Sequence, residues 1–317
     1  MIAGSNPGAD GTSLVPSVSA LLVQQELSFR SPLFPDNLFG HLVATGVPGV
    51  EEWRDGAYRR TVRLPHGPAV IALTPGATAI DCRLALTDAR DTAAGIALGR
   101  FLLDLDADPV AVDGVLRVDP VLRPLIDAAP GRRVPRATDG AEFAIRAVLG
   151  QQVSTAAART HAGRLVLAHG EPIGDLEGGL THLFPQPAAL AGLDPATLAV
   201  PGARRRALLG LIAALDQGRL EVDPQGDWAR TRAQLQALPG IGPWTVETIA
   251  MRALGDPDAF IPTDLGVRVL AGKLGLPTTP GALTAHAAGW QPWRAYAVQY
   301  LWASGDHAVN TLPDSHR

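Results

Sequence analysis

"LPGIGPWTVETIA" (residues 238–250) sets two glycines and two prolines within five positions and then runs on as an amphipathic helix. Gly240 and Gly242 open backbone angles closed to other residues, so the chain can reverse within a few residues. Pro243 suits the first turn of the following helix, where its missing N–H is no loss. The amides of Gly240, Gly242 and Thr245 are then expected to point outward at a helix N-terminus, whose partial positive charge suits a phosphate oxygen. Such a loop grips a nucleic-acid backbone without reading a base. A plain interhelical turn would use the same Gly-x-Gly. The flanking Leu238 and Ile241, the helix before them and Pro243 make the longer stretch the more specific signal.

Composition supplies no global reason to expect nucleic acid, because the 317 residues carry a net charge of −4. Any case for DNA is therefore local. A hydrophobic fraction of 46% describes a globular protein. No stretch reaches the roughly eighteen unbroken apolar residues of a membrane span. Cys82 is the only cysteine, which excludes an internal disulfide, a multi-cysteine zinc site and a four-cysteine iron–sulfur cluster. These features predict a cytoplasmic protein. The opening 26 residues lack a basic leader and a clear cleavage site, and read as a disordered arm or linker.

Short apolar–polar runs such as "AYRRTVRL" (57–64) and "PAVIALTP" (68–75), broken by Pro and Gly, predict a small antiparallel sheet across residues 27–110. Helices are expected in the same region at "NLFGHLVATG" (37–46) and over 88–106. From 111 to 305 nearly every segment reads as helical, with predicted helices at 154–169, 187–192, 203–217, 228–237, 243–254, 264–274 and 290–304. Asp139 and Glu142 resemble a capping box at the head of another, and 306–317 is a tail. The fold class is α+β: a sheet domain followed by an all-α domain long enough to divide in two.

With "FIPTDLGVRVL" (260–270) following the hairpin, the chain resembles the helix-hairpin-helix DNA glycosylase superfamily. "RAVLGQQVS" (146–154) and "WRAYAVQYLW" (293–302) resemble its 3-methyladenine DNA glycosylase II branch. The similarity covers residues 27–305. It implies a monomer that flips alkylated bases out of double-stranded DNA, with no membrane and no required cofactor. A weakly held, monovalent cation on the hairpin carbonyls of Gln236, Leu238 and Ile241 is implied in the same way. The Gly/Ser-rich start resembles the linker to a methyl-accepting regulatory domain found in some relatives.

Asp264 alone would read as a helix N-cap; by the resemblance it is also the catalytic carboxylate. The two roles agree, since a helix N-terminus favours the ionised form that stabilises positive charge developing on deoxyribose. Bifunctional relatives carry a lysine where this chain has Trp244, and that amine attacks C1′. Lys273 is the only lysine of the chain, so water is the expected nucleophile. The faces of Trp244 and, by resemblance, Trp302 suit a cationic base by about 0.5–2 kcal/mol. Thr248 and His41 complete the implied base pocket, though a lone histidine also serves as a structural hydrogen-bonder. Trp293, Tyr296 and Tyr300 repeat at helical spacing and read as core.

Gln151 and Gln152 lie at a tip between two helices, Gln152 in the wedge position where better-known relatives place leucine. A polar loop tip is the plainer alternative. Arg132, Arg133 and Arg136, and Arg204 to Arg206, are basic clusters suited either to phosphates or to a solvated face. Two rivals stay open: a non-catalytic lesion-binding hairpin module, and a glycosylase for deaminated purines such as hypoxanthine.

Overall fold

The computed structural model describes residues 20–314. Five strands, β1 (Leu21–Ser28), β2 (Glu51–Arg54), β3 (Ala57–Leu64), β4 (Gly67–Pro75) and β5 (Ala79–Leu86), form an antiparallel sheet in the order β1-β5-β4-β3-β2. The first strand starts at Leu21, inside the stretch read as an arm, and pairs along its full length with β5. The rest of the expected arm, residues 1–19, lies outside the described residues.

Helix α1 (Asp36–Thr45) connects β1 to β2, and α2 (Thr92–Leu102) lies on the sheet. Its Gly95 and Gly99 allow that approach: a Cβ at either would sit 2.9 Å from Leu84 or 3.0 Å from Ile71. Phe39, Ile71, Ile80 and Leu102 fill this core.

Beyond the sheet come α3 (Pro109–Leu116), α4 (Arg123–Ala128), α5 (Gly140–Leu149) and α6 (Thr155–His169). A short hairpin of β6 (Glu171–Pro172) and β7 (His182–Leu183) leads to α7 (Pro187–Leu190), α8 (Gly202–Asp216) and α9 (Trp228–Gln236). Helix α10 (Pro243–Ile249) passes without a break into a π-helical turn, Ala250–Leu254. The chain closes with α11 (Leu265–Lys273), α12 (Pro280–His286) and α13 (Arg294–Ala303).

These helices bury two separate cores. One gathers α5, α6, α8 and α10; the other joins α3 and α4 to α11–α13. The second core brings together segments far apart in sequence. Tyr296 and Tyr300 are buried in it, and Trp293 packs against it.

The sheet is bolted to the helices by a buried ionic cluster. Glu51 accepts from Tyr58 at 2.5 Å and from Arg146 at 2.9 Å, and Glu142 accepts from Arg60 at 2.8 Å and Arg146 at 2.6 Å. Burial alone would raise the Glu51 carboxyl, but Arg146 and Arg60 outweigh it and hold it below its ordinary value. The expected capping box is therefore half formed: Asp139 accepts the Glu142 amide at 2.7 Å, while the Glu142 carboxylate turns to the arginines.

Candidate active site

Asp264 is the N-cap of α11, its Oδ1 accepting the Val267 amide at 2.8 Å. Two indoles converge on the same carboxylate. Trp244 Nε1 donates to Oδ2 at 2.9 Å and Trp302 Nε1 donates to Oδ1 at 3.2 Å. Trp244 enters from the first turn of α10 and Trp302 from the end of α13. Three donors thus fix the orientation of the carboxylate at the N-terminus of α11.

This carboxylate opens on a cavity of about 370 Å³ between the sheet domain and the helices. Asp264, Trp244, Trp302, Thr248 and His41 all line it, so residues spread over the whole sequence meet in one place. Trp244, Thr248 and Arg252 succeed one another at four-residue steps along α10 and its π turn, and each lines the same cavity. Trp244 marks the end where Asp264 sits. At Arg252, Nη1 donates to His41 Nε2, so the imidazole carries its proton on Nδ1. Burial, helped by Arg252 and Arg146, lowers His41 well below its ordinary range, which keeps it neutral. Burial, with Arg146 and Arg136 nearby, pushes Arg252 down to about 9, still charged at neutral pH. The wall thus carries Asp264 beside Trp244 and a cationic Arg252 eight residues further along the same helical run.

The hairpin has the reversal expected of it. Gly240 takes φ +85°, and a Cβ there would also lie 2.7 Å from Ala207, so glycine is required twice over. Gly242 is the N-cap of α10, with Pro243 in the first turn. Thr245 departs from expectation: it is 2% exposed, so it does not offer an outward amide. Its hydroxyl instead accepts from Gln151 Nε2 at 3.0 Å, and the same nitrogen donates to the Gly240 carbonyl at 3.2 Å. Gln151 thereby ties the α5–α6 tip to the hairpin. Next to it, Gln152 is exposed and holds φ +54°, a left-handed conformation uncommon for a side-chain-bearing residue. Lys273 is exposed in the last turn of α11 and is absent from the cavity wall.

The first arginine cluster corrects the sequence expectation. Arg132, Arg133 and Arg136 are 9%, 0% and 3% exposed, neither a solvated face nor free for phosphates. Arg132 donates to Asn37 at 3.1 Å, Arg133 to the Arg30 carbonyl at 2.7 Å, and Arg136 to Met251 O at 2.5 Å and Asp104 at 3.1 Å. They join the sheet domain to the helices. In the second cluster Arg204 is buried, Arg205 reaches the Leu198 and Val200 carbonyls, and Arg206 is exposed. Sequence reasoning missed Arg252 and the tie made by Gln151. The helical spacing from Trp244 and Thr248 was the available signal for Arg252.

A glycine-reversed hairpin, a proline-opened helix and an N-capping aspartate held at a cavity by two indoles make up a helix-hairpin-helix architecture. Residues 24–139 match the AlkA N-terminal domain family. A probable bifunctional transcriptional activator/DNA repair enzyme AlkA of Mycobacterium tuberculosis is 54% identical over 301 residues, 95% of this chain and 61% of that protein. DNA-3-methyladenine glycosylase 2 of Escherichia coli is 31% identical over 281 residues, covering 87% of this chain and 95% of that one. The fold is shared with 3-methyladenine DNA glycosylase from Archaeoglobus fulgidus at a TM-score of 0.75 and 18% identity, over 88% of this chain and 97% of that one. The chain belongs to the AlkA family of helix-hairpin-helix DNA glycosylases. It spans about three-fifths of the length of the mycobacterial relative.

Proposed function

We propose that this chain is a monofunctional DNA glycosylase that flips alkylated purines out of duplex DNA and hydrolyses their glycosidic bond. The observation that carries this is the Asp264 carboxylate, held by Trp244, Trp302 and Val267 at the wall of a base-sized cavity. As the bond to the base breaks, positive charge grows at C1′, and a fixed anion beside it lowers the barrier. An N3- or N7-alkylated purine already carries a positive charge and leaves readily, so the reaction needs no strong general acid. The indole faces add cation–π attraction. Among the described residues no lysine lines the cavity, which supports attack by water.

Gln152 is the wedge. It is exposed at a tip, and its left-handed backbone is the kind of local strain that concentrates at functional positions. The hairpin amides of Gly240 and Gly242 hold a phosphate, with Thr245 serving through its bond to Gln151. A monovalent cation would be held by the carbonyls of Gln236, Leu238 and Ile241. Leu238 O already accepts the Ile241 amide at 3.1 Å, which leaves it one lone pair for such an ion. The enzyme acts as a cytoplasmic, nucleoid-associated monomer. No helix among the described residues is long and apolar enough to cross a membrane.

The direct test is release of free 3-methyladenine and 7-methylguanine from methylated duplex DNA, with strands analysed before and after alkali. Base release with breaks only after alkali is expected. DNA binding with no base release would leave a lesion-binding module instead.

A further inference from the structure

A helix ordinarily begins with a side chain that accepts its free amides, or with an acid in its first turn, because the peptide dipoles leave that end positive. Helices α5, α6, α9 and α11 follow this rule with Asp139, Ser154, Asp227 and Asp264 as caps. Helix α8 breaks it. Pro201 stands at its N-cap with no side-chain bond, and its first turn holds no acid. Three arginines, Arg204 to Arg206, follow directly on Gly202 and Ala203. The Arg205 amide donates to the Pro201 carbonyl at 2.9 Å, so the amides of Gly202, Ala203 and Arg204 precede the helical ladder. Positive side chains crowded on a positive helix end destabilise it unless an anion joins them.

Their partners differ. Arg205 turns back to the Leu198 and Val200 carbonyls and is a structural tie. Arg204 is 8% exposed and has no hydrogen-bond or carboxylate partner among the described residues. Its nitrogens are nonetheless not sealed from solvent, as Nε of Arg133 and of Arg252 is. Arg206 is exposed and also unpaired among the described residues. In the sheet domain, by contrast, exposed arginines hold carboxylates: Arg30 with Asp108, Arg63 with Glu171 and Arg83 with Glu177. Helical side chains lean toward the N-terminus. Arg206 does so, its Nη1 lying 3.8 Å from where a Cβ on exposed Gly202 would stand. From α6, burial and then Arg164 and Arg204 lower His161 below its ordinary value, so Arg204 also faces cationic company there. Asp194, which shares a groove with His161 and Arg164, is turned to the Ala196 amide at 2.9 Å.

This cationic end borders the hairpin. A Cβ on Gly240 would lie 2.7 Å from the Ala207 Cβ and 4.0 Å from the Ala203 carbonyl, so the first turns of α8 pack on it. The start of α10, two residues beyond Gly240, likewise lacks a side-chain cap. Two open helix ends therefore lie close together, and a DNA backbone seated on the hairpin passes the α8 arginines. We propose that the start of α8 is a second phosphate clamp, in which the amides of Gly202 and Ala203 and the guanidinium groups of Arg204 and Arg206 hold a backbone phosphate of the duplex beside the hairpin. The clamp rests on the glycosylase reading above and adds an anchor outside the base cavity. A phosphate contact carries no sequence information, so it serves affinity and register and not the choice of base.

The experiment measures equilibrium binding of a lesion-bearing duplex, and of the same duplex without the lesion, across a range of salt. Single-turnover excision at saturating enzyme accompanies it. Arg206→Gln, at an exposed position, should weaken binding of both duplexes about tenfold at low salt and reduce the slope of log affinity against log salt by about 1. Its excision rate at saturation should match that of wild type. Arg206→Lys should recover most of the slope, and Arg204→Gln should act in the same direction as Arg206→Gln. Arg123→Gln, at an exposed arginine of α4, should change neither affinity nor slope. Unchanged affinity and slope in Arg206→Gln would overturn the clamp. A loss that varies with the base opposite the lesion would overturn it too, since that marks base reading in place of a phosphate contact. Wild-type binding with the expected slopes but no base release would overturn the glycosylase reading and leave the clamp standing.

Discussion

Trp244 and Trp302 donate their indole N–H groups to different oxygens of one carboxylate, that of Asp264, at 2.9 and 3.2 Å. Each tryptophan is therefore a wall of the cavity and also a hydrogen-bond donor that orients the Asp264 carboxylate. Conversely, Asp264 fixes the rotation of both rings. Under the proposed function, a base entering the cavity would meet rings and charge already in place, with little reorganisation needed.

Asp264→Asn should reduce base release on the order of a hundredfold or more, since it removes the charge that stabilises the developing cation. DNA affinity should hold or rise, because a negative charge near phosphates is gone. Single-turnover release together with equilibrium binding checks both. Excision near the wild-type rate would remove Asp264 from the mechanism.

Trp302→Phe separates the two duties of the indole, keeping an aromatic face while deleting the N–H. Loss of one charge-assisted hydrogen bond should slow release by about tenfold or more, on cationic and neutral bases alike. A defect confined to the cationic base would mean that the ring face, and not the bond to Asp264, is what matters.

Borohydride should trap no covalent complex with DNA, as Lys273 is exposed at the far end of α11 and no other lysine exists. A trapped adduct would show an amine acting as nucleophile, and the monofunctional assignment would fail.

The wedge and its anchor should respond to pairing. Gln152→Ala should slow excision from a paired substrate and do so less when the lesion is mispaired and already easy to extrude. Gln151→Ala, which unties the tip from Gly240 and Thr245, should show the same pattern at about tenfold or less, without altering the preference among bases. Excision rates from paired and mispaired duplexes test both. An identical factor on the two substrates would return the tip to a solvated loop.

The sheet–helix junction should weaken in acid. Glu51 is held below its ordinary 4.5 because Arg146 and Arg60 more than offset its burial. A depressed carboxylate contributes stability that is complete above its unfolded value and disappears as pH falls through the folded one. The melting temperature should therefore fall as pH drops below about 4.5. Glu51→Gln should be destabilised at neutral pH by about 3–5 kcal/mol, since Arg146 and Arg60 lose a partner. Its further loss in acid should be shallower than that of wild type. Parallel melting curves across pH would show that Glu51 does not carry the acid response.

Local chemistry made much of this protein legible from its sequence. Gly240, Gly242 and Pro243 can do little other than reverse the chain and open a helix, and Asp264 before an apolar periodic run can do little other than cap one. The tyrosines of α13 declared themselves as core by spacing, and alternation with turn residues marked the sheet. Less visible were α3, α4 and α12, short helices begun by or containing proline, whose stability comes from packing against distant segments and not from their own pattern.

What only tertiary structure decided was the fate of the charges. Arg132, Arg133 and Arg136 read as a surface cluster because sequence cannot reveal that Asn37, the Arg30 carbonyl, and Asp104 with Met251 O will receive them. Glu51, Arg60, Glu142 and Arg146 come from two domains and become a buried cluster only when those domains meet. The same holds for Arg252, whose guanidinium meets His41 only when the sheet domain and the helices come together. The sequence determines which groups can donate or carry charge, because that is local chemistry. Whether a charge is paired, solvated or left waiting for a ligand depends on what packs against it, and those neighbours lie tens to hundreds of residues away.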